Sequence, residues 1–579
     1  MGLVLSVAAV RGDGKLDAGI RPDSGGEAEF FLFLAEQADL APASSLATKG
    51  ERGRFVFEAL REVAGRTQAG ILADLDAAGL PHRAYWAANM IWVRSSAPEL
   101  EALARRGDVA RVLANPRLDR EEPFRGGDSG SASGAVGIEW NIAHVGAPDV
   151  WDQGVTGQGA VIGGVDTGYD WDHPALKGHY RGWNGTTADH DYNWHDAVHE
   201  FGQACGNDSP EPCDEDGHGT HTMGTMVGDD GAGNQIGMAP GAQWIGCRCW
   251  NPVLGTNVQY VTECLQWMLA PTDLGGENPD PGLAPDVVNN SWICEPDEGC
   301  VTPDALLAVV ESLRAAGIVV VAGAGNDGPG CGTIAYPPAV YDASFTVGAS
   351  DDSDMIALFS SRGPVTVDGS NRLKPDVTAP GISIRSCVPG GAYQSGWSGT
   401  SMAAPHVAGL VALLVSANPG AAGDVELLEG ILHATAVPMT SGQSCGGVGG
   451  FEIPNNTSGY GRIDAPAAYA AVLTSAVSRE PLASPRPVLL PAAPNPFHPS
   501  ARIAFDLPGA SRVSLTVFDP AGRRIRRLLD RVSVEAGRHR VSWDGRDAGG
   551  RDVQSGVYFI RLEAGEHASV RPITRLRAP

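Results

Sequence analysis

The chain has 579 residues, which is enough for three or four domains that each bury a hydrophobic core. Hydrophobic residues make up 43% and charged residues 19%, a composition typical of a folded globular protein and not of a disordered one. The formal net charge of -26 argues against nucleic acid as a partner, because binding to phosphates requires a basic surface. No run of about 18 apolar residues is present, so we expect no transmembrane segment.

Residues 1–20 are the first segment, and they open with the apolar run MGLVLSVAAV. Such a run is typical of the core of a signal peptide, but no basic residues precede it. Two interpretations stay open for this segment, a truncated signal sequence and a structural element of the folded chain.

Residues 21–118 predict a small α+β domain. Apolar residues recur at helical spacing between Phe55 and Leu75, and Pro98 opens a second, shorter helix. Strand-like runs precede, separate and follow these helices, at residues 29–34, 84–93 and 109–114. The order strand, helix, strand, helix, strand is close to a ferredoxin-like arrangement.

A central region follows a linker. Residues 119–136 lose all periodicity and are rich in Gly, Ser and charge, so we interpret them as an accessible linker with a processing site. Residues 137–473 then alternate apolar strands with helices, which predicts an α/β domain whose parallel sheet is covered by helices on both faces. Its expected strands are residues 160–166, 242–247, 286–290 and 318–323.

Residues 488–579 follow a second, Pro-containing linker at 474–487 and change to a period of two. Apolar and polar residues alternate in runs separated by turns, which predicts an all-β antiparallel sandwich. The side chains expected to face its core are Ile503, Phe505, Val513, Leu515, Val517, Val541, Trp543, Val557 and Phe559.

All ten cysteines lie between Cys205 and Cys445. Their confinement to one region indicates disulfides in an exported domain, and short loops such as 205–213 and 294–300 are able to close locally. A zinc site is the competing interpretation, although no paired C-x-x-C units occur and the spacing of Cys247 and Cys249 is unusual for one. The connectivity stays open.

Two motifs carry candidate acid–base residues. Asp166 ends a strand-like run and precedes Thr-Gly, which predicts a carboxylate at the carboxyl edge of the sheet, where active sites of open α/β folds lie. His218 has a glycine on each side, which we expect to leave its ring accessible, and an apolar helix follows. Taken alone, an aspartate that caps a turn and a structural histidine explain these residues equally well.

Two further motifs carry a nucleophile and a hydrogen-bond donor. Ser401 stands where a loop becomes a helix, so free N–H groups and the helix dipole are available to stabilise an oxyanion, and we expect Pro405 in the first turn of that helix. Asn326 follows an apolar strand in a glycine-rich turn, where its amide is able to donate to a substrate carbonyl. The alternatives are a helix N-cap for Ser401 and an ordinary Asn-Gly type of turn.

The four motifs together, in this order, resemble the subtilisin-like serine peptidases. The resemblance covers residues 137–470 and rests on the runs DTG, GHGTHTMGTMVG, AGN and GTSMAAPHVAGLVALL. The sequence between these runs, such as DVVNNSW at 286–292, is most similar to the bacillopeptidase F branch.

This resemblance implies roles for the motif residues. Ser401 is the expected nucleophile, His218 the general base and Asp166 the group that orients the imidazole. The Asn326 side chain and the Ser401 N–H are the expected oxyanion hole. Substrate binding is expected from a segment that pairs with the substrate backbone and from the wall opposite it, at Ser291, Trp292, Ile293 and Gly325.

The resemblance also bears on cofactors. Catalysis in this family requires none, so no metal is expected in the catalytic site. Many members bind a structural calcium ion through an aspartate that directly follows the His-Pro after the catalytic Asp, but here Ala175 follows Pro174. Structural calcium is therefore not supported at that position. The acidic loop at residues 214–216 is another candidate for calcium, with a solvated loop as the favoured interpretation.

Partners follow from the flanking domains. Residues 21–118 resemble the propeptides of this family, which implies an intramolecular inhibitor, and polypeptides are the expected substrates. The C-terminal sandwich resembles immunoglobulin-like domains related to the flagellar hook-capping protein, and secretion-sorting tails. A secreted or surface location is expected, with export machinery or the cell surface as a further partner.

Two other functions compete with this interpretation. A metallohydrolase would use His218 and His221 with Asp166 and Asp216, since the two histidines have i, i+3 spacing. An inactive binding protein would rely on the C-terminal sandwich alone. Inhibition by a serine-directed reagent but not by a chelator separates the first alternative, and activity on casein separates the second.

Overall fold

The computed structural model describes most of the chain and divides it into two compact units. One unit contains Thr48–Val472 and the residues before Asp39, and the other contains Asp39–Ala47 and the residues from Leu473 onward. The described residues are 15–118, 123–125, 137–200, 203–251, 255–294, 304–477, 487–489, 497, 500–507, 509–534, 537–565 and 567–575.

The first unit begins with the α+β domain. Its elements are β1 (Glu27–Leu34), α1 (Lys49–Ala78), β2 (His82–Tyr85), β3 (Met90–Ser96), α2 (Ala97–Ala104) and β4 (Val109–Ala114). Helix α1 starts at a capping box in which Thr48 and Glu51 bond each other's backbone N–H, and it ends at Gly79 in the left-handed region. The antiparallel sheet has the order β2-β3-β1-β4, which is the ferredoxin-like order.

The prediction of one strand over residues 84–93 was wrong, because the chain turns there and forms the β2–β3 hairpin. Asn89 takes a positive φ of 45° in this turn, a conformation that asparagine tolerates better than most residues. The run AYWAAN, which forms this turn, is apolar up to Asn89, so Asn89 was the only polar signal of a turn in the sequence.

The rest of the first unit is the α/β domain. Its elements are β5 (Arg117–Leu118), β6 (Phe124–Arg125), β7 (Gly137–Ile138), α3 (Trp140–His144), α4 (Ala147–Trp151), β8 (Val161–Asp166), β9 (Trp194–Asp196), α5 (His218–Val227), β10 (Asn234–Gln235), β11 (Gln243–Arg248), β12 (Thr256–Asn257), α6 (Val258–Leu269), β13 (Val287–Asn290), α7 (Leu307–Ala315), β14 (Val319–Gly323), β15 (Phe345–Ser350), β16 (Val377–Pro380), β17 (Ile384–Val388), β18 (Ala392–Ser398), α8 (Thr400–Ala417), α9 (Val425–Thr435) and α10 (Ala465–Val477).

The principal sheet of this domain has seven strands in the order β16-β15-β14-β13-β8-β11-β9, and every neighbouring pair is parallel. The four strands predicted from the sequence are all confirmed within one or two residues. Short strands such as β5, β6 and β7 lie outside this sheet.

Helix α8 lies at the centre of this domain. Its small residues allow close packing: a Cβ on Gly409 would lie 2.4 Å from the Cβ of Met238. Within the described residues, α8 alone is long and apolar enough to cross a membrane, but 83% of it is buried inside the protein. A core helix of a globular domain passes the same test of length and hydropathy, so this helix is assigned to the core.

Disulfides join several loops of the α/β domain. The bonds are Cys205–Cys213, Cys247–Cys264 and Cys331–Cys445, so the predicted local closure of residues 205–213 is confirmed. Cys294 is also disulfide-bonded, whereas Cys300, its predicted partner, lies outside the described residues. Cys249 and Cys387 are free and buried. Because Cys247 is in a disulfide, it is not available as a zinc ligand.

The second unit contains the predicted antiparallel sandwich. Its strands are β19 (Val488–Leu489), β20 (Ala501–Leu507), β21 (Ser511–Phe518), β22 (Arg524–Val534), β23 (Gly537–Trp543), β24 (Gly556–Ala564) and β25 (His567–Arg575). They form two sheets with the orders β19-β20-β23 and β22-β21-β24-β25.

The inward face of β24 differs from the prediction. Val557 and Phe559 were expected to face the core, but Val557 is 42% exposed and Phe559 is only partly buried. Tyr558, Ile560 and Leu562 point inward instead. The run Val-Tyr-Phe-Ile is apolar at every position, so alternation could not fix which face is buried.

A buried ion pair joins β11 to β9, the strand at one edge of the seven-stranded sheet. Arg248, at the end of β11, donates to both carboxylate oxygens of Asp196 on β9, at 2.9 and 2.7 Å, and both side chains are 1% exposed. The Asp196 carboxylate also accepts the backbone N–H groups of Val198 and Ser209. Removal of the Asp196 carboxylate would leave the buried guanidinium with the more distant Glu215 carboxylate, 3.9 Å away, as its charged partner.

We therefore expect Asp196→Ala to lower the free energy of unfolding by about 3–5 kcal/mol, the range for breaking a buried pair. Urea unfolding of the full chain measures the change. The matched control is Glu36→Ala, which removes the exposed pair with Arg66 and is expected to have a much smaller effect on the free energy of unfolding. Equal losses from both substitutions would contradict the assignment.

Candidate active site

The four candidate segments meet at one edge of the seven-stranded sheet. Asp166 is the last residue of β8, and the residues that follow β13 and β14 include Ser291 and Asn326. Strands β8, β13 and β14 are consecutive and parallel in the sheet, so their carboxyl ends lie side by side. Helix α5 begins at His218, and Ser401 is the second residue of α8.

Asp166 and His218 form a buried hydrogen-bonded pair. The distance between His218 Nδ1 and Asp166 Oδ1 is 2.7 Å, and the two residues are 2% and 3% exposed. The Asp166 carboxylate also accepts the Thr167 N–H and the Thr222 hydroxyl, at 2.8 and 3.3 Å. A carboxylate on Nδ1 fixes the ring orientation and stabilises the imidazolium form. The expectation that the flanking glycines leave the ring accessible was wrong, because the surrounding structure covers it.

Asp214 supports the Asp166–His218 pair through hydrogen bonds to neighbouring groups, a role that the sequence did not predict. Its carboxylate accepts hydrogen bonds from the Thr167 hydroxyl at 3.0 Å, from the Gly217 N–H at 2.9 Å, and from the hydroxyl of Thr220 at 2.6 Å. Burial raises the pKa of Asp214, although these hydrogen bonds favour its charged form. One side chain thus joins the end of β8 to the start of α5; the acidic run just before His218 was the signal for it.

Ser401 and Ser291 are joined by two reciprocal hydrogen bonds. The Ser401 hydroxyl donates to the Ser291 carbonyl at 3.0 Å, and the Ser291 hydroxyl donates to the Ser401 carbonyl at 3.1 Å. Pro405 explains the second bond, because it has no N–H to donate to the carbonyl four residues earlier. Pro405 lies in the second turn of α8, so the prediction that it lies in the first turn was wrong.

Asn326 lies beside the start of α8. Its side-chain oxygen Oδ1 accepts hydrogen bonds from the Thr400 N–H at 2.9 Å and from the Thr400 hydroxyl at 3.2 Å, and these bonds orient the side-chain amide. A Cβ placed on Gly399 would lie 3.7 Å from Asn326 Nδ2 and 3.8 Å from the Ser401 nitrogen. Both nitrogens therefore lie near Gly399, and a pair of neighbouring N–H donors is what an oxyanion hole requires.

The predicted substrate-binding residues lie on two facing segments. Trp292 and Ile293 are 7% and 6% exposed. Gly325 has a φ of 95°, and a Cβ added there would lie 3.6 Å from Ile293 Cδ1 and 3.0 Å from the Ser361 hydroxyl. The structure therefore brings Ile293 and Gly325 together across the space between the ends of β13 and β14, next to Ser291.

The segment after the α+β domain also reaches this region. Strand β5 pairs with β12, and β6 pairs antiparallel with the end of β18, where Phe124 lies opposite Ser398. The Phe124 ring stacks on Phe359 with centroids 5.0 Å apart. Ser398 precedes Ser401 by three residues, so a described part of the predicted linker lies beside the start of α8.

In the part of the chain that the structure describes, no group of three or more His, Cys, Asp or Glu side chains is arranged to hold a metal ion. His221, the second histidine of the metallohydrolase alternative, stacks on the Trp397 ring with centroids 4.4 Å apart and the planes at 6°.

Comparison with known proteins agrees with the geometry. Residues 157–461 match the model of the subtilase family, and residues 495–567 match that of the FlgD Ig-like domain. Bacillopeptidase F of Bacillus subtilis (strain 168) is 38% identical over 446 residues, which cover 74% of this chain and 29% of that protein.

Two other relatives match a shorter region. Serine protease AprX of Bacillus subtilis (strain 168) is 32% identical over 53% of this chain and 68% of its own length. Subtilisin E of the same organism is 30% identical over 49% of this chain and 63% of its own length. The match thus spans less than a third of Bacillopeptidase F and under two thirds of subtilisin E. With its family match over more than half of its length, the chain belongs to the subtilase family of serine proteases.

Proposed function

We propose that this protein is a secreted serine endopeptidase that hydrolyses peptide bonds through an acyl-enzyme intermediate and is made as a self-processing precursor. The observation that carries the proposal is the 2.7 Å hydrogen bond between Asp166 and His218 at the sheet edge where α8 presents Ser401. The remaining groups of such a site, two oxyanion donors and a segment for substrate binding, are predicted at the same edge.

The proposed reaction begins when the Ser401 hydroxyl turns from the Ser291 carbonyl toward His218 Nε2. His218 removes the proton as Ser401 Oγ bonds to the substrate carbonyl carbon, and Asp166 stabilises the resulting imidazolium. The Asn326 amide and the Ser401 N–H donate to the oxyanion. His218 then protonates the leaving amine, and a water molecule deacylates Ser401 by the same proton transfers.

Substrate is proposed to bind as an added strand along Ser291, Trp292 and Ile293. The side chain of the substrate residue that precedes the cleaved bond is proposed to lie between Ile293 and Gly325.

Antiparallel pairing of β6 with the end of β18 supports self-processing, because it holds a described part of the linker 119–136 near Ser401. The α+β domain is proposed to remain as an inhibitor. It contacts the peptidase domain through ion pairs such as Lys49–Asp286 at 2.7 Å and Arg111–Asp304.

We expect Ser401→Ala to give a folded protein without peptidase activity, because α8 keeps its backbone and only the nucleophile is lost. The expected fall in kcat is about 10⁶-fold, the magnitude known for subtilisin. Casein hydrolysis measures activity, and circular dichroism checks the fold.

On gels, the wild-type chain should lose its N-terminal part by a cut within residues 119–136, and Ser401→Ala should stay at full length. A pure Ser401→Ala protein that is processed like the wild type would contradict autocatalysis.

We expect Asn326→Leu to lower kcat by about 10²–10³-fold with little change in KM, again the magnitude known for subtilisin. The amide donates fully only when the substrate oxygen carries charge, so its loss raises the transition state and not the bound ground state. Steady-state kinetics on a chromogenic peptide separate the two parameters. An unchanged kcat with a much larger KM would assign Asn326 to ground-state binding.

We expect deletion of residues 488–579 to preserve peptidase activity and to change where the protein resides. The C-terminal sandwich buries its own core, including Phe505, Leu515 and Trp543, and supplies none of the proposed catalytic groups. Casein assays combined with fractionation of cells and medium test both parts. Loss of activity in a folded truncated chain would give the sandwich a role in the site, and an unchanged location would exclude a sorting role.

A further inference from the structure

Asn289 of β13 is a buried polar residue that none of the proposed catalytic steps uses. It is 1% exposed and lies in the strand Val-Val-Asn-Asn, between the parallel neighbours β8 and β14. Its side-chain oxygen Oδ1 is buried and has no hydrogen-bond partner among the described residues. A buried polar atom of this kind costs stability, and an apolar side chain at the same position would avoid that cost. Packing alone therefore does not account for an asparagine here.

The amide nitrogen of Asn289 is connected to the start of α8 through Ser291. Asn289 Nδ2 donates to Ser291 Oγ at 2.9 Å, and Ser291 Oγ in turn donates to the Ser401 carbonyl at 3.1 Å. An amide nitrogen only donates, and a hydroxyl has a single proton to donate, so the first bond directs that proton toward Ser401. The two hydrogen bonds therefore run in one direction, from the strand to the helix that presents the proposed nucleophile.

The Ser401 carbonyl at the end of these bonds lacks its usual helical donor, because Pro405 has no N–H. Ser401 also carries the proposed nucleophile and one N–H of the proposed oxyanion hole. In the resting site a second bond, from Ser401 Oγ to the Ser291 carbonyl at 3.0 Å, joins the same two segments. That second bond is lost when Oγ turns to His218. The bond that remains is the one that Asn289 orients.

We propose that Asn289 is a positioning residue of the peptidase. By orienting the Ser291 hydroxyl, it holds Ser401 in place while Oγ leaves the Ser291 carbonyl and attacks the substrate. Asn289 contacts neither the substrate nor the reacting atoms and acts through Ser291. This inference rests on the proposed function, because it assigns a role within that reaction.

We expect Asn289→Ala to lower kcat about tenfold, a loss of the size of one hydrogen bond. KM should stay close to the wild-type value, because the substrate is proposed to pair with the backbone of residues 291–293, which the substitution leaves in place. Ser291→Ala should lower kcat to the same extent. Since the two side chains act in series, the double variant should also lose about tenfold and not about a hundredfold.

Asn290→Ala is the matched control, because Asn290 is also a buried asparagine of β13. Successive side chains of a strand point to opposite faces, and Asn290 Nδ2 donates to the Val321 carbonyl at 3.2 Å. Its replacement is expected to lower the free energy of unfolding and to leave kcat close to the wild-type value. A purely structural Asn289 would give the same result as this control.

Steady-state kinetics on a chromogenic peptide, with urea unfolding of each variant, separate the two roles. A fluorophosphonate that labels Ser401 counts the active sites, so that kcat is expressed per reactive serine. An unchanged kcat in Asn289→Ala, or losses that multiply in the double variant, would overturn the inference. If Asn289→Ala does not fold, Asn289→Leu takes its place, because leucine has nearly the same shape and no donor.

The kinetics also distinguish this inference from the proposed function. A wild-type chain without peptidase activity would overturn the proposed function and this inference with it. An active wild type whose Asn289 and Ser291 variants keep its kcat would overturn this inference alone.

Discussion

The geometric constraint behind the whole site is that parallel neighbouring strands end at one edge of a sheet. Asp166, Ser291 and Asn326 are separated by 125 and 35 residues in the chain, yet they follow β8, β13 and β14, which are consecutive in the sheet. Hydrogen bonds then fix the parts that the sheet leaves undetermined. Asp214 joins the end of β8 to the start of α5, and Ser291 is bonded to Ser401 in both directions.

Pro405 shows how one residue affects two parts of the proposed mechanism. It leaves the Ser401 carbonyl without its usual helical donor, and the Ser291 hydroxyl fills that position. The segment proposed to bind substrate is thereby fixed to the residue proposed to attack it. Precise placement of this kind matters for catalysis, because a reacting atom displaced by about 1 Å can cost a hundredfold in rate.

The sequence predicted the strands of the α/β domain and the pairing of Asp166 with His218, because continuous apolar runs and long motifs leave little freedom there. It failed where the local pattern was degenerate, as in the apolar runs that hid the β2–β3 turn and the inward face of β24. The burial of His218 depends on contacts far along the chain, which no local pattern reports. The ion pair between Arg83 and Glu263 could not be predicted for the same reason, because the two residues are 180 positions apart and carry no motif.

The two free thiols, at Cys249 and Cys387, impose a condition on how this domain matures. Both are buried, and burial raises the pKa of each, so in the folded domain neither forms much of the thiolate that attacks disulfides. An unfolded chain has no such protection, and in an oxidising compartment its ten cysteines have many more ways to pair than the folded domain uses. Cys249 donates from its backbone to the Asp166 carbonyl at 3.0 Å, so a wrong bond at this residue would displace the end of β8. The chain must therefore bury these two thiols before oxidation is complete, which makes the order of folding and oxidation a determinant of how much of the protein reaches its native pairing.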